Sequence, residues 1–254
     1  MQAISLQSGS NGNCIYVEAG GVRLLLDAGI SGRQAQQRLA LHGRDITEVD
    51  AVVISHDHAD HCRGLGVFQR KFGLPIHLTA KTFRAANRCD LGPLDDLRYF
   101  TAGETLRFGS VAVETIATPH DGVDGVAFVV DDGRCRLGVL TDLGHVFSGL
   151  DAVLDSLTAV FLESNYDPEM LENGPYPDFL KRRITGPGGH LSNQEAAELL
   201  AAHAGRSLRW AYLAHLSEKN NTPALALKTH RRIVGRRLPI RVASRCEAVV
   251  APEL

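Results

Sequence analysis

Short apolar runs punctuated by turn residues set the pattern of the chain, and their spacing predicts strands mixed with helices from end to end. Ile4–Gln7 and Cys14–Glu18 read as strands separated by Ser8-Gly9-Ser10-Asn11-Gly12-Asn13, residues that tolerate left-handed backbone. Val22–Leu26 is a third strand, reached through Gly20-Gly21. The run Val49–Ile54 predicts a buried strand. Helical spacing covers Arg33–His42, Leu65–Phe72 and Thr82–Arg88, with Gly43 suited to cap the first of them. Further strands are expected at Thr105–Phe108, Val111–Ile116, Val126–Val130 and Arg134–Leu140, the last two joined by the turn Asp131-Asp132-Gly133. Val160–Leu162 and Arg209–Leu213 complete the strand set. Two late helices carry their own start signals. Ser192-Asn193-Gln194-Glu195 is a capping box before an Ala/Leu-rich helix ending near Ala204-Gly205, and Thr222-Pro223 opens Ala224–Val234. This mixture predicts a single α/β domain over residues 1–254 with layered sheets.

Composition narrows the class without naming a function. The 254 residues are 44% hydrophobic and 22% charged, ordinary for a protein with a buried core. No apolar run suggests a membrane span, and the first ten residues lack a basic segment followed by an apolar one, so neither a span nor a secretory leader is expected. Five scattered cysteines without a Cys-x-x-Cys pair suit reduced thiols in the cytoplasm, with Cys62 read as a small buried filler sooner than as a metal contact. A net charge of −2 offers no global attraction to nucleic acid, so any such affinity must come from local basic patches.

The chemistry is concentrated where strands end. Directly after Val49–Ile54 stands Ser55-His56-Asp57-His58-Ala59-Asp60-His61, with three imidazoles and two carboxylates between positions 56 and 61. A solvated polar loop has no need of that spacing, whereas neutral imidazole with carboxylate suits zinc, manganese or iron. Three later strands each run into a His or Asp: Ala112–Ala117 into His120, Arg136–Leu140 into Asp142, and Trp210–Ala214 into His215. Singly, each is as well explained by a turn or cap. Together they predict side chains converging on one cleft. His42 and His145 have no comparable surroundings and are read as structural or exposed.

At these residues the chain resembles the metallo-β-lactamase superfamily. His56, His58, Asp60 and His61 match its H-x-H-x-D-H signature, and His120, Asp142 and His215 match its later His, Asp, His order. Leu25-Leu26-Asp27-Ala28-Gly29 resembles its early strand-end aspartate motif. The resemblance implies a four-layer αββα sandwich with two divalent metal ions, zinc or manganese, at one edge. It implies that His56, His58 and His120 hold one ion, that Asp60, His61 and His215 hold the other, and that Asp142 bridges them. The nucleophile implied is a hydroxide bridging the two ions.

Further motifs resemble the YycJ/WalJ subfamily: Ser8–Cys14, Glu163-Ser164-Asn165, Lys181-Arg182-Arg183, Gly189–Asn193 and Leu213–Asn221. That resemblance implies a DNA exonuclease favouring single strands, with Tyr166 standing where the subfamily is expected to carry His. His190 follows Gly186-Pro187-Gly188-Gly189 and precedes the helix capped by Ser192, where backbone donors favour an anion. An imidazole beside a bound phosphate can protonate the departing oxygen. It can also merely bond the turn. Asp60 and His190 are the catalytic candidates, with Asp60 orienting or deprotonating the attacking water. Ser192, Asn193, Lys181, Arg182 and Arg183 are the candidates for gripping substrate. Lys228, Arg231, Arg232, Arg236 and Arg237 form a second basic stretch. The competing readings are RNA processing, small-molecule phosphodiester or thioester hydrolysis on the same fold, and a non-catalytic binding protein.

Overall fold

The structure, a computed structural model, describes residues 1–86 and 89–254. Its strands fall into two seven-stranded sheets. The first contains, in spatial order, β14 (Val249–Val250), β1 (Gln2–Gln7), β2 (Cys14–Ala19), β3 (Val22–Leu26), β4 (Ala51–Val53), β5 (Ile76–Thr79) and β6 (Leu97–Phe100). The second runs β13 (Ile240–Val242), β12 (Trp210–Ala214), β11 (Ala159–Glu163), β10 (Arg136–Leu140), β9 (Val126–Asp131), β8 (Val111–Ala117) and β7 (Thr105–Phe108).

Period-two alternation sorts each strand into two apolar faces. Ile15 and Val17 of β2, Leu24 and Leu26 of β3, Phe128 and Val130 of β9, Phe161 of β11 and Tyr212 of β12 meet in a core between the sheets. The intervening residues face outward onto helices. Tyr16, Leu25 and Val52 pack with Ala35 and Leu39 of α1 (Gly32–Ala40) and with Leu65 and Phe68 of α3 (Leu65–Phe72). On the other side Val129, Val160 and Leu162 pack with Leu150 and Leu154 of α5 (Leu150–Asp155) and Leu199 and Leu200 of α8 (Asn193–His203). The layering is therefore αββα, as expected. Burial on both faces explains why the central strands read as continuous apolar runs.

Strand direction places the site. β8, β10, β11 and β12 all point the same way, because β8 and β10 each pair antiparallel with β9 and the rest of the series is parallel. β3 and β4 are likewise parallel. Their C-terminal ends carry the chemically active residues. Asp27, Asp142 and His215, each next after or close behind a strand, have φ of 66°, 56° and 55°. Left-handed backbone is uncommon outside glycine and clusters where function over-determines it. Two cross-links tie the sheets at this edge: the His215 amide donates to Ser8 Oγ at 2.9 Å, and the Ser8 amide to the Ser244 carbonyl at 3.0 Å.

Most expected elements occur within a residue or two. The helix expected at Thr82–Arg88 is α4 (Ala80–Ala86), and the last two positions of that expectation lie outside the described residues. Several short elements had no distinct pattern: β5, β6, β13 and β14, and the helices α2 (Ala59–Cys62), α6 (Pro168–Asn173) and α7 (Asp178–Thr185). Among the described residues no helix is long and apolar enough to cross a membrane. All five cysteines are free thiols. Cys62 is fully buried beside Cys89, with the sulfurs 3.6 Å apart.

Candidate metal centre

Extended backbone followed by one helical turn gathers the first four residues. His58 is the N-cap of α2, with φ −65° and ψ 142°. His56 and His58 therefore project from one side of an extended segment, and the helical turn brings Asp60 and His61 back toward them, the His61 amide donating to the His58 carbonyl at 2.9 Å. The backbone here is tightly nested. A Cβ on Gly29 would lie 1.6 Å from the Asp60 carbonyl oxygen, and one on Gly122 would lie 2.5 Å from His56 Cδ2. Only glycine permits either approach.

Three strand ends deliver the remainder. His120 Nε2 lies 3.2 Å from His58 Nδ1 and 3.6 Å from Asp142 Oδ1. His61 Nε2 is 3.2 Å from Asp142 Oδ2, and His215 Nε2 is 3.3 Å from Asp60 Oδ2. All seven residues expected to be ligands come together. Three sets each hold their potential ligand atoms within 4.8 Å of one another: His56, His58 and His120; His56, His61 and Asp142; Asp60, His61 and His215. A fourth set of the same compactness joins Asp142 and His215 to Glu163 and His190.

The donor chemistry fits a divalent cation. His56 Nε2 is buried with no hydrogen-bond partner, and Asp142 Oδ2, also buried, makes no well-aligned hydrogen bond, its neighbour being His61 Nε2 at 3.2 Å. A buried polar atom left unpaired costs about 1–3 kcal/mol, and a cation removes that cost for several atoms at once. The outward ring nitrogens are meanwhile occupied. His61 Nδ1 donates to Asp27 Oδ2 at 2.7 Å, His120 Nδ1 donates to the Gly189 carbonyl at 2.8 Å, and His56 Nδ1 pairs with Ser55 Oγ at 2.9 Å. Such partners set the tautomer and leave the other nitrogen free to ligate. This is a divalent-metal site.

Electrostatics agree. Burial holds the His56 imidazole well below its usual range, with His61 and His120 adding to the effect; burial and His120 likewise lower His58. Both are therefore neutral at pH 7, the form in which an imidazole can ligate a metal. Burial also opposes protonation of His61 and His215, but Asp142 and Asp60 outweigh it, pushing His61 well up and His215 up to about 10. Burial would raise the Asp60 carboxyl, yet His61 and His215 hold it down at about 2. Protons on His61 and His215 thus compensate the carboxylates where a cation would otherwise do so.

The flanking residues divide sharply. His190 Nδ1 sits 2.6 Å from Glu163 Oε1. Glu163 is fully buried and is the last residue of β11, in which the other residues, Ala159–Leu162, are apolar. Burial raises its carboxyl, but His190 outweighs that and holds it at about 2. Its other oxygen accepts from the Leu143 and Leu191 amides at 3.1 and 3.2 Å. His190 lines a cleft of about 330 Å³ together with His58, Asp60, Asp142, His215 and Arg183. Arg183 forms a paired contact with Asp121, at 2.5 and 3.0 Å, and Asp121 in turn lies 3.4 Å from His58 Nε2.

The structure corrects the expectation for Ser192 and Asn193 as substrate-gripping groups. Both are buried. Ser192 Oγ caps α8 through Glu195, and the Asn193 side chain bonds Ser164 Oγ and Asn221. Lys181 donates to the Glu172 carbonyl, and Arg182 is exposed outside the cleft lining. Of the basic triplet, Arg183 alone reaches the cleft. Tyr166 is packed, its backbone bridged to Ser192, and burial with the charge of Glu195 raises its phenol to about 12. It remains a neutral structural group. His145 donates to the Pro187 carbonyl and His42 is half-exposed, consistent with the structural roles expected of them.

Sequence reasoning assigned no role to Glu163 or Asp27, although both stood in quoted motifs. The available signal was a carboxylate ending a strand that is apolar on both faces. Asp121 and Asn165 carried no such signal, since each looks like an ordinary loop residue. Asn165 donates to the His215 carbonyl at 2.8 Å.

Comparison with known proteins bears directly on this site. A family model described as the metallo-beta-lactamase superfamily matches residues 8–183. The chain is 36% identical over 223 residues to exodeoxyribonuclease YycJ of Bacillus anthracis, covering 87% of this chain and 84% of that protein. It is 37% identical over 229 residues to exodeoxyribonuclease WalJ of Streptococcus pneumoniae strain D39, covering 88% and 84%. In fold it resembles YhfI of Bacillus subtilis, with a TM-score of 0.74 at 15% identity over 98% of this chain and 99% of that one. With the clustered His and Asp residues in place, the chain belongs to the metallo-β-lactamase superfamily and, within it, to the YycJ/WalJ-like subfamily.

Proposed function

We propose that this chain is a metal-dependent exodeoxyribonuclease that favours single strands, acting in the cytoplasm as one hydrolase domain over residues 1–254. The observation that carries the proposal is the placement of the Glu163–His190 pair against the metal centre in one open cleft. The similarity to exodeoxyribonucleases supports DNA as the substrate.

In this reading His56, His58 and His120 would hold one cation and Asp60, His61 and His215 a second, with Asp142 available to either. Divalent ions held there, zinc or manganese, would supply charge for the phosphoryl oxygens and would make water nucleophilic near neutral pH. The protein's own groups do the rest. Asp60, held at about 2, stays ionised at any working pH and is suited to accept a hydrogen bond from the attacking water, orienting it rather than taking its proton. Glu163 fixes the His190 ring through Nδ1, leaving Nε2 without a hydrogen bond among the described residues. In its doubly protonated form the ring then gives the Nε2 proton to the departing oxygen and keeps the Nδ1 proton shared with Glu163. Arg183, pinned by Asp121, supplies fixed positive charge at the cleft wall.

The test is digestion of end-labelled single-stranded DNA, duplex DNA and matched RNA with zinc, manganese or chelator, beside a thioester control. Stepwise loss from single-stranded DNA, abolished by chelator, is expected. Cleavage confined to RNA or to the thioester would contradict the proposal.

A further inference from the structure

The segment before α7 has features that metal chemistry does not use. Tyr176 lies between Pro175 and Pro177, which fix their own φ and restrict the residue before each, so the ring is carried on stiff backbone. The turn is also anchored from below. A Cβ on Gly174 would lie 2.5 Å from the Met170 carbonyl oxygen and 2.8 Å from Asn220 Oδ1. Tyr176 is half-buried and lines the same cleft as His190 and the metal centre. It makes no hydrogen bond or ring contact among the described residues.

The helix that follows continues this wall. α7 has no buried residue, yet Leu180 and Ile184 line the cleft, and Phe179 is 68% exposed. An apolar helix face turned toward a water-filled cleft, instead of a core, calls for an apolar occupant. Opposite it stands the metal centre, which takes an anion. A ligand with a phosphate at one end and a flat apolar body at the other satisfies both.

We propose that Tyr176, backed by Leu180 and Ile184, is a stacking site for the base of the terminal nucleotide, which rests on the nuclease function proposed above. A base freed from pairing can swing its face onto the phenol ring while its phosphate reaches the metal centre, so the site favours unpaired ends. The wall's lining side chains offer few hydrogen-bonding groups beyond the phenol hydroxyl and an Arg183 already tied to Asp121. Recognition of this kind tolerates all four bases. A stiff aromatic platform also loses little conformational freedom on binding.

The experiment compares metal-loaded wild type, Tyr176→Ala and Tyr176→Phe on single-stranded oligonucleotides ending in either a normal or an abasic nucleotide. Base–aromatic stacking predicts that wild type prefers the normal end by about tenfold in kcat/KM. Tyr176→Phe should keep that preference. Tyr176→Ala should lose it by slowing on the normal end alone. If wild type cuts both ends equally, or Tyr176→Ala loses the same factor on both, the stacking site is wrong while the nuclease function stands. If wild type cuts neither, the nuclease function itself falls and the stacking site with it.

Discussion

His190 Nδ1 lies 2.6 Å from the Glu163 carboxylate, which is fully buried, while the imidazole itself lines the open cleft. Glu163 also accepts two backbone amides, so its position is fixed independently of His190. The carboxylate therefore sets the ring's tautomer and aim. Replacing Glu163 by Gln removes the charge and permits either ring nitrogen to carry the proton. We expect kcat on single-stranded DNA to fall about 10- to 100-fold, the range seen when a partner of an active-site histidine is lost. Metal content, measured by elemental analysis, should be unchanged.

Asp27 has the same relation to His61, with Oδ2 at 2.7 Å, and its other oxygen receives the Ser55 amide at 2.8 Å. Its φ of 66° suits Asn nearly as well, so Asp27→Asn changes charge with little backbone strain. This variant should bind zinc about 10- to 100-fold more weakly in a competition titration with a chelating dye. Unchanged zinc affinity would mean that His61 is not a ligand.

Much of the site was legible because its chemistry is written locally. His56, His58, Asp60 and His61 stand within six positions, and His120, Asp142 and His215 each follow an unmistakable apolar strand. The layering was legible for a similar reason: Val126–Asp131 and Ala159–Glu163 are apolar on both faces, as strands covered on both sides must be. What escaped depends on distance between remote segments. Glu163 meets His190 across 27 positions, and Arg183 meets Asp121 across 62. No spacing rule encodes either pair. Ser192 and Asn193 misled because a polar residue beside a glycine turn reads equally as a ligand contact or a helix cap, and burial decides for the cap. The strands β5, β6, β13 and β14, of two to four residues, are too short for periodicity to separate from loop.

His230 provides a pH prediction away from the metal centre. It is fully buried in α9 (Pro223–Ile233), with Nδ1 donating to the Ala226 carbonyl at 2.9 Å and Nε2 unpartnered. Burial pushes its pKa down from 6.5 to about 4, the Ala226 bond offsetting only part of that. Below pH 6.5 the unfolded chain takes up a proton that the folded chain refuses until about pH 4, so stability is lost as pH falls through this window. Between pH 7.5 and 5 the loss from this group is about 2 kcal/mol. In urea melts of metal-free protein, the stability difference between wild type and His230→Leu should shift by that amount toward the variant. A pH-independent difference would show that His230 takes up its proton equally in the folded and unfolded chain, as an imidazole exposed to water does.

The two-ion site proposed above would be built from strand ends of both sheets. Its most direct measurement is the metal-to-chain ratio by elemental spectroscopy after stripping, reconstitution with zinc or manganese, and gel filtration. We predict two ions per chain for wild type and a clear loss for Asp142→Ala. One ion or none in wild type, under excess metal, would contradict the claim.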